Sequence, residues 1–342
     1  MPATWLPDPS HYPEQMTPLS ATVWFEAIGH GIHEAMRELR GSFGGFEART
    51  HLGWAYEGER EPEWEHEPDR VRASALDIGR RWTDELSPRS HDLTAQLHRL
   101  RPEQPPPEEA AAMLDRMWDL VREQWVVHFL AVFPAQFAVE LLRAAYTEAF
   151  GTDDQLAPYR LLDGVRNETN EADELLWTLA GRAAELGVDA VVREYPPGPA
   201  LERLRDLHDG RRWLAELDGY LLRFGGRSRW HELSVPREAD MPTMTLDSVR
   251  LFLERGEPPR TTPADDAAPG RAEAIASAPG LADVLPAAEA GYAIKETHVY
   301  HIDYPGLLAT REVLLGFGRR LVAEGRIRTL TDVWMLRRDE LR

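Results

Sequence analysis

Apolar positions along this chain recur mostly at helical spacing. Leu19, Val23, Ala27 and Ile28 form one face of a helix that begins near Pro18. Val71 to Leu86 is amphipathic through Ala75, Ile78 and Trp82, and Leu93, Leu97 and Leu100 mark a further helical piece. Prolines at 102, 105, 106 and 107 interrupt the pattern, and Pro107-Glu-Glu suits a new helix start. Met113, Met117, Leu120 and Val121 give that helix a face. From Trp125 to Val139 it turns apolar all round, as a central core helix does, and Pro134 predicts a kink or a break in it. Leu307, Leu308, Leu315, Leu321 and Val322 trace a last helix up to Gly325. Alternation with a period of two is confined to Phe46, Ala48, Leu52, Trp54 and Tyr56, which predicts a short hairpin near 46–56. The pattern predicts a mainly α, irregular multi-helix domain with one or two short β-hairpins. Residues 1–255 form its helical body and 291–342 complete it. The Pro/Ala/Gly-rich stretch 256–290 reads as a flexible or loosely helical connector.

Charge and composition narrow the partners. A formal net charge of −19 argues against a nucleic-acid or anionic-membrane surface, and the absence of cysteine removes disulfides and thiolate metal sites. The apolar run Trp125–Val139 is too short to span a bilayer and contains His128, Pro134 and Gln136. With no basic, apolar leader at the start, the expected location is the cytoplasm. Every odd position from Glu57 to Asp69 is acidic, with Pro62 and Pro68 between them, which reads as a solvated loop.

The densest proton-handling chemistry is the run Lys295-Glu-Thr-His-Val-Tyr-His-Ile-Asp303, which gathers Glu296, His298, His301 and Asp303 just ahead of an amphipathic helix. A structural hydrogen-bond network is the competing reading. Trp125, His128 and Gln136 either line a pocket beside a proline-bent helix or belong to the core, with His128 a hydrogen-bonded core histidine. Phe224-Gly-Gly-Arg227 frames an arginine with glycines, which suits a phosphate or a helix-ending turn. His30 and His33 lie one turn apart without a third ligand beside them, and no metal site is expected. Gly41-Ser-Phe-Gly-Gly45 lacks the Gly-Lys-Ser/Thr of a phosphate loop, so the isolated chain should show no micromolar ATP affinity by calorimetry.

Several of these runs together resemble the helical middle domain of the phosphoenolpyruvate-synthase-like dikinases, especially the rifampicin phosphotransferase and phenylphosphate synthase branch. The matching stretches are Glu296-x-His298-x-x-x-Ile302-Asp303, Gly318-Arg-Arg-Leu321 with Gly325, and Asp332-Val-Trp-x-Leu336. Leu161-x-x-Gly164 followed by Asn167-x-Thr169 and Leu176-Trp177 matches as well, as do Phe224, Gly225, Arg227, Ser228, Glu232 and Glu238. Gly226 stands where the family usually has histidine or tryptophan.

The resemblance implies an acceptor-binding component of a split phosphotransferase, or a piece of a longer one. A separate ATP-grasp protein would hold ATP and magnesium, and a separate phosphohistidine protein would carry the phosphoryl group. No cofactor is expected in this chain. The acceptor would be a hydroxyl of a small, largely apolar molecule. On this reading His298 or His301 is the base, oriented by Asp303 or Glu296, and Arg227 and Arg311 meet the phosphate. Glu232, Trp125, His128 and Gln136 line the acceptor. A stand-alone binding, sequestering or regulatory protein without catalysis is the alternative.

Overall fold

The computed structural model describes residues 4–9, 11–151, 154–228, 231–259 and 264–342. The chain divides into two units. Met1–Leu162, Trp230–Ser234 and Pro269–Arg342 make the first, and Asp163–Arg229 with Val235–Ala268 make the second.

In the first unit, α1 (Pro18–Leu39) is followed by two strands of a small antiparallel sheet, β2 (Phe46–His51) and β3 (Trp54–Glu59). The sheet is completed by β1 (Leu6–Pro7) from the start of the chain, in the order β1-β3-β2. Leu52 and Gly53 turn the hairpin, both at positive φ. Helices α2 (Pro68–Leu76) and α3 (Ile78–Arg81), a π-helical turn Trp82–Leu86 and α4 (Ser87–Leu97) lead to α5 (Pro107–Phe150). The second unit holds α6 (Glu168–Glu185), α7 (Asp189–Glu194), α8 (Pro197–Asp206), α9 (His208–Phe224) and α10 (Thr243–Arg255). The chain returns through α11 (Ala264–Ser277) to α12 (Leu281–His298) and α13 (Tyr304–Ala323) of the first unit.

Helix α5 is the axis of the first unit and packs against both α1 and α12. Trp118, Val127, Leu130, Ala131 and Ala135 are completely or almost completely buried along it. Pro134 does not break it. The missing N–H removes one rung from the ladder, while a helix packed on several sides keeps its path through burial of its neighbours. Among the described residues α5 is also the one helix long and apolar enough to cross a bilayer, but over half of its most apolar window is packed inside the fold. The hairpin lies where the alternation places it. The acidic run differs from expectation at its start, because Glu57 and Glu59 belong to β3.

In the stretch 256–290, α11 and the first half of α12 occupy most of the described part. Alanine lowers the cost of helix there, and Leu281, Val284 and Leu285 bury one face.

Glu57 pairs across the sheet with Leu6 on one side and Ala48 on the other. Burial, and then the neighbouring Asp8 carboxylate, push its pKa up. The unfolded chain keeps the ordinary value. The stability linked to this group is therefore complete below that value and lost as pH rises through the higher folded one. Glu57→Gln should raise the melting temperature at pH 7, and the gain should shrink as the pH is lowered towards the ordinary carboxylate range. An unchanged or lower melting point at pH 7 would refute the assignment.

Candidate functional site

Between α12 and α13 the helical path continues through a π-helical turn, Val299–Asp303. Its cause is local. Pro305, in the first turn of α13, has no N–H to return to the preceding turn, so the carbonyl four residues back, that of His301, is released from the ladder. Side chains from α4 and α5 donate to this turn. Ser90 Oγ donates to the His301 carbonyl at 2.8 Å, and Gln124 Nε2 donates to the Ile302 carbonyl at 3.0 Å.

This turn decides which side chains meet. On a regular α-helix residues five apart point about 140° from one another, whereas a widened turn brings them towards one face. His298 and Asp303 are five apart, and His298 Nε2 lies 3.7 Å from Asp303 Oδ2. His128 on α5 completes the group, with its Nδ1 2.7 Å from Asp303 Oδ1 and its ring 5.0 Å from that of His298. His298 and Asp303 are buried and His128 nearly so.

The protons in this group are fixed by their partners. A carboxylate cannot donate, so His128 Nδ1 carries the proton of the 2.7 Å bond, and the free lone pair of the neutral ring is on Nε2. His298 Nδ1 likewise donates to the Ile294 carbonyl at 2.9 Å, leaving its Nε2 lone pair towards Asp303. Burial pushes the His298 imidazole down to about 4, against the opposing pull of Asp303. Burial alone would raise Asp303, but the electrostatic pull and the hydrogen bond of His128, and then His298, hold it down to about 2. The cluster therefore keeps a buried anion that orients one imidazole.

Around it the surroundings are apolar. Trp125 and Phe129 each pack on the His128 ring at 4.7 Å. Phe129, Phe133 and Phe137 continue along α5 as a stacked, half-buried ladder, and Phe43 meets Phe133 edge-on at 5.8 Å. On its other side Asp303 borders a cavity of about 10 Å³ lined by Trp24, Gln124, Trp125 and Thr310 among others. That space suits a water-sized guest, whereas small-molecule sites run to about 300–1,000 Å³.

The other residues singled out from sequence are placed elsewhere. His301 turns away from Asp303. Its Nδ1 lies 3.0 Å from Ser87 Oγ, and its ring stacks on His91 at 5.0 Å and meets Trp82 edge-on. Glu296 is exposed on α12, and Gln136 donates to Glu140 on its own helix. Glu232 is buried and caps α1, accepting from Thr17 N at 3.1 Å, Thr17 Oγ at 2.7 Å and Ser20 Oγ at 2.5 Å. Arg311 is buried too. It donates to the Leu233 carbonyl at 2.6 Å and lies over the Trp334 ring. These two side chains pin residues 232–233 into the first unit, so neither is turned towards solvent to meet a phosphate. Arg227 belongs to the second unit, half-exposed, close enough to Asp173 to draw down that carboxyl's burial-raised pKa.

The sequence offers His298 or His301 as the base and His128 as either a pocket-lining or a core residue, without joining His128 to Asp303. The signal that could have corrected this is Pro305, two residues after Asp303, which marks an interrupted ladder.

Two known proteins are similar to this chain along nearly all of its length. Chondramide synthase cmdD of Chondromyces crocatus is 26% identical over 93% of this chain, which spans 9% of that protein. The uncharacterized phosphotransferase YvkC of Bacillus subtilis (strain 168) is 22% identical over 98% of this chain, which spans 42% of that protein. The chain thus covers less than half of either relative. The family defined as the rifampicin phosphotransferase fourth domain matches residues 127–297, half of the chain, from beside His128 to the residue before His298. With that match joined to a mainly helical fold, the chain belongs to the rifampicin phosphotransferase fourth-domain family.

Proposed function

We propose that this chain is the acceptor-binding part of a dikinase-type phosphotransferase. It presents a hydroxyl of a small, largely apolar molecule to a phosphohistidine carried by a partner component. The observation behind this reading is the buried Asp303 carboxylate, which orients His128 through a 2.7 Å hydrogen bond at the head of an aromatic ladder.

The acceptor packs its apolar body on Phe129, Phe133 and Phe137, and its hydroxyl proton passes to His128 Nε2. The oxygen forms a bond to phosphorus as the phosphorus–nitrogen bond of the partner's phosphohistidine breaks, and that imidazole leaves with the electron pair. Asp303 then faces a doubly protonated His128 and stabilises its charge.

The test supplies ATP, magnesium, and the ATP-grasp and phosphohistidine components of a relative, and screens apolar alcohols and phenols. Mass spectrometry should find a phosphorylated product whose formation requires this chain. A competent phosphohistidine component that never passes its phosphoryl group to a bound acceptor would defeat the proposal.

A further inference from the structure

The contact between His298 and Asp303 is electrostatically incomplete as it stands. His298 Nδ1 donates to the Ile294 carbonyl, so the Nε2 of the neutral ring presents a lone pair to a carboxylate oxygen 3.7 Å away. Two acceptors facing each other in a buried setting call for a positive charge between them. On the other side of the same carboxylate stands a second imidazole nitrogen, and the three donor atoms lie within 4.8 Å of one another.

From this convergence we infer that His128, His298 and Asp303 form a binding site for a divalent transition-metal ion. Two imidazole nitrogens and one carboxylate oxygen are the donor set of zinc and its neighbours, and too nitrogen-rich for magnesium or calcium. Outer contacts of the kind such sites use are already made. The backbone carbonyl of Ile294 fixes the tautomer and orientation of His298, as second-shell acceptors do for metal-bound histidines. Residues from α5, the end of α12 and the π-helical turn supply the ligands, so the ion would tie the two halves of the cluster together.

The site extends beyond the phosphotransfer reading and does not depend on it. It also sets a limit on that reading. A metal on His128 Nδ1 replaces the proton that Asp303 now accepts, so the metal-loaded and proton-accepting forms of the cluster exclude each other.

Titration of the metal-free full chain with cobalt(II) tests the site. One equivalent should bind with visible d–d absorption bands, and zinc(II) should displace it. His298→Gln and Asp303→Asn should each weaken binding by at least about tenfold, and circular dichroism should confirm that each variant is folded. His51→Gln, an exposed histidine on β2, should bind like the wild type. Failure of the wild type to bind at millimolar cobalt, or equal affinity in folded His298→Gln and wild type, would overturn the inference. Because none of these readouts involves phosphoryl transfer, a negative result here leaves the proposed function standing, and an inactive enzyme leaves the metal site standing.

Discussion

His128→Gln should slow phosphorylation of the acceptor by about 10²–10⁴-fold, the usual loss when a general base is removed, while the chain stays folded. Glutamine is chosen over alanine for a reason visible in the cluster. Alanine would leave the Asp303 carboxylate buried with its 2.7 Å donor gone, and stranding one member of a buried pair costs about 3–5 kcal/mol. Glutamine can still donate an N–H to Asp303 but cannot take a proton from a hydroxyl at neutral pH.

Asp303→Asn probes the same step from the other side, because an amide no longer stabilises the doubly protonated imidazole. It should slow transfer too, with the helical structure retained. His301→Gln should not, since that ring faces Ser87, His91 and Trp82 and not Asp303. Single-turnover transfer and thermal melting on the same preparations separate chemistry from folding. A His128→Gln protein that transfers within about threefold of the wild-type rate would remove His128 from the base role.

The fold was legible wherever burial follows a simple period. The face of α1, the hairpin and the apolar core of α5 all read directly from spacing, because one-sided burial imposes a period of 3.6 or 2. The site was legible in composition but not in pairing. Glu296, His298, His301 and Asp303 stand out as a dense polar run, yet assigning partners within it needs the helical period, and Pro305 changes that period where it matters. A residue five positions on was brought alongside His298, and the one three positions on was sent to α4. The pairing of His128 with Asp303 was hidden for a different reason. The histidine's local surroundings are those of a core helix, and its carboxylate partner is 175 residues away in sequence. Glu232 and Arg311 show what spacing leaves out, because burial turns both inward to backbone and hydroxyl groups, an orientation that a motif does not encode.

Gly291→Val should destabilise the first unit and, in whatever remains folded, impair the cluster as well. A Cβ added at Gly291 would lie 2.5 Å from the Ala135 carbonyl oxygen, closer than any real contact, and the atom it meets is backbone. Alanine at this position gains about 0.5–1 kcal/mol of helix propensity, but overpacking of this kind costs about 1–3 kcal/mol, so even Gly291→Ala should lower the melting temperature. Valine adds bulk and a stiff χ1 to the same clash. Gly181, within α6, supplies the contrast, because nothing lies within 4 Å of its added Cβ. Gly181→Ala should therefore stabilise by up to about 1 kcal/mol, which isolates the clash from the propensity.

The consequence for the site follows from register. Gly291 meets Ala135, and seven residues further along α12 His298 meets His128, seven residues back along α5. The two helices thus run antiparallel, with the glycine contact two turns from the imidazole pair, about 10 Å at 1.5 Å per residue. A wedge at Gly291 pushes α12 off α5 and draws His298 and Asp303 away from His128, so the 2.7 Å bond that orients the base is lengthened or lost. Transfer by Gly291→Ala, measured well below its own melting point, should fall by more than the small unfolded fraction accounts for. A Gly291→Ala protein with wild-type melting and wild-type transfer would show that α5 and α12 do not approach this closely.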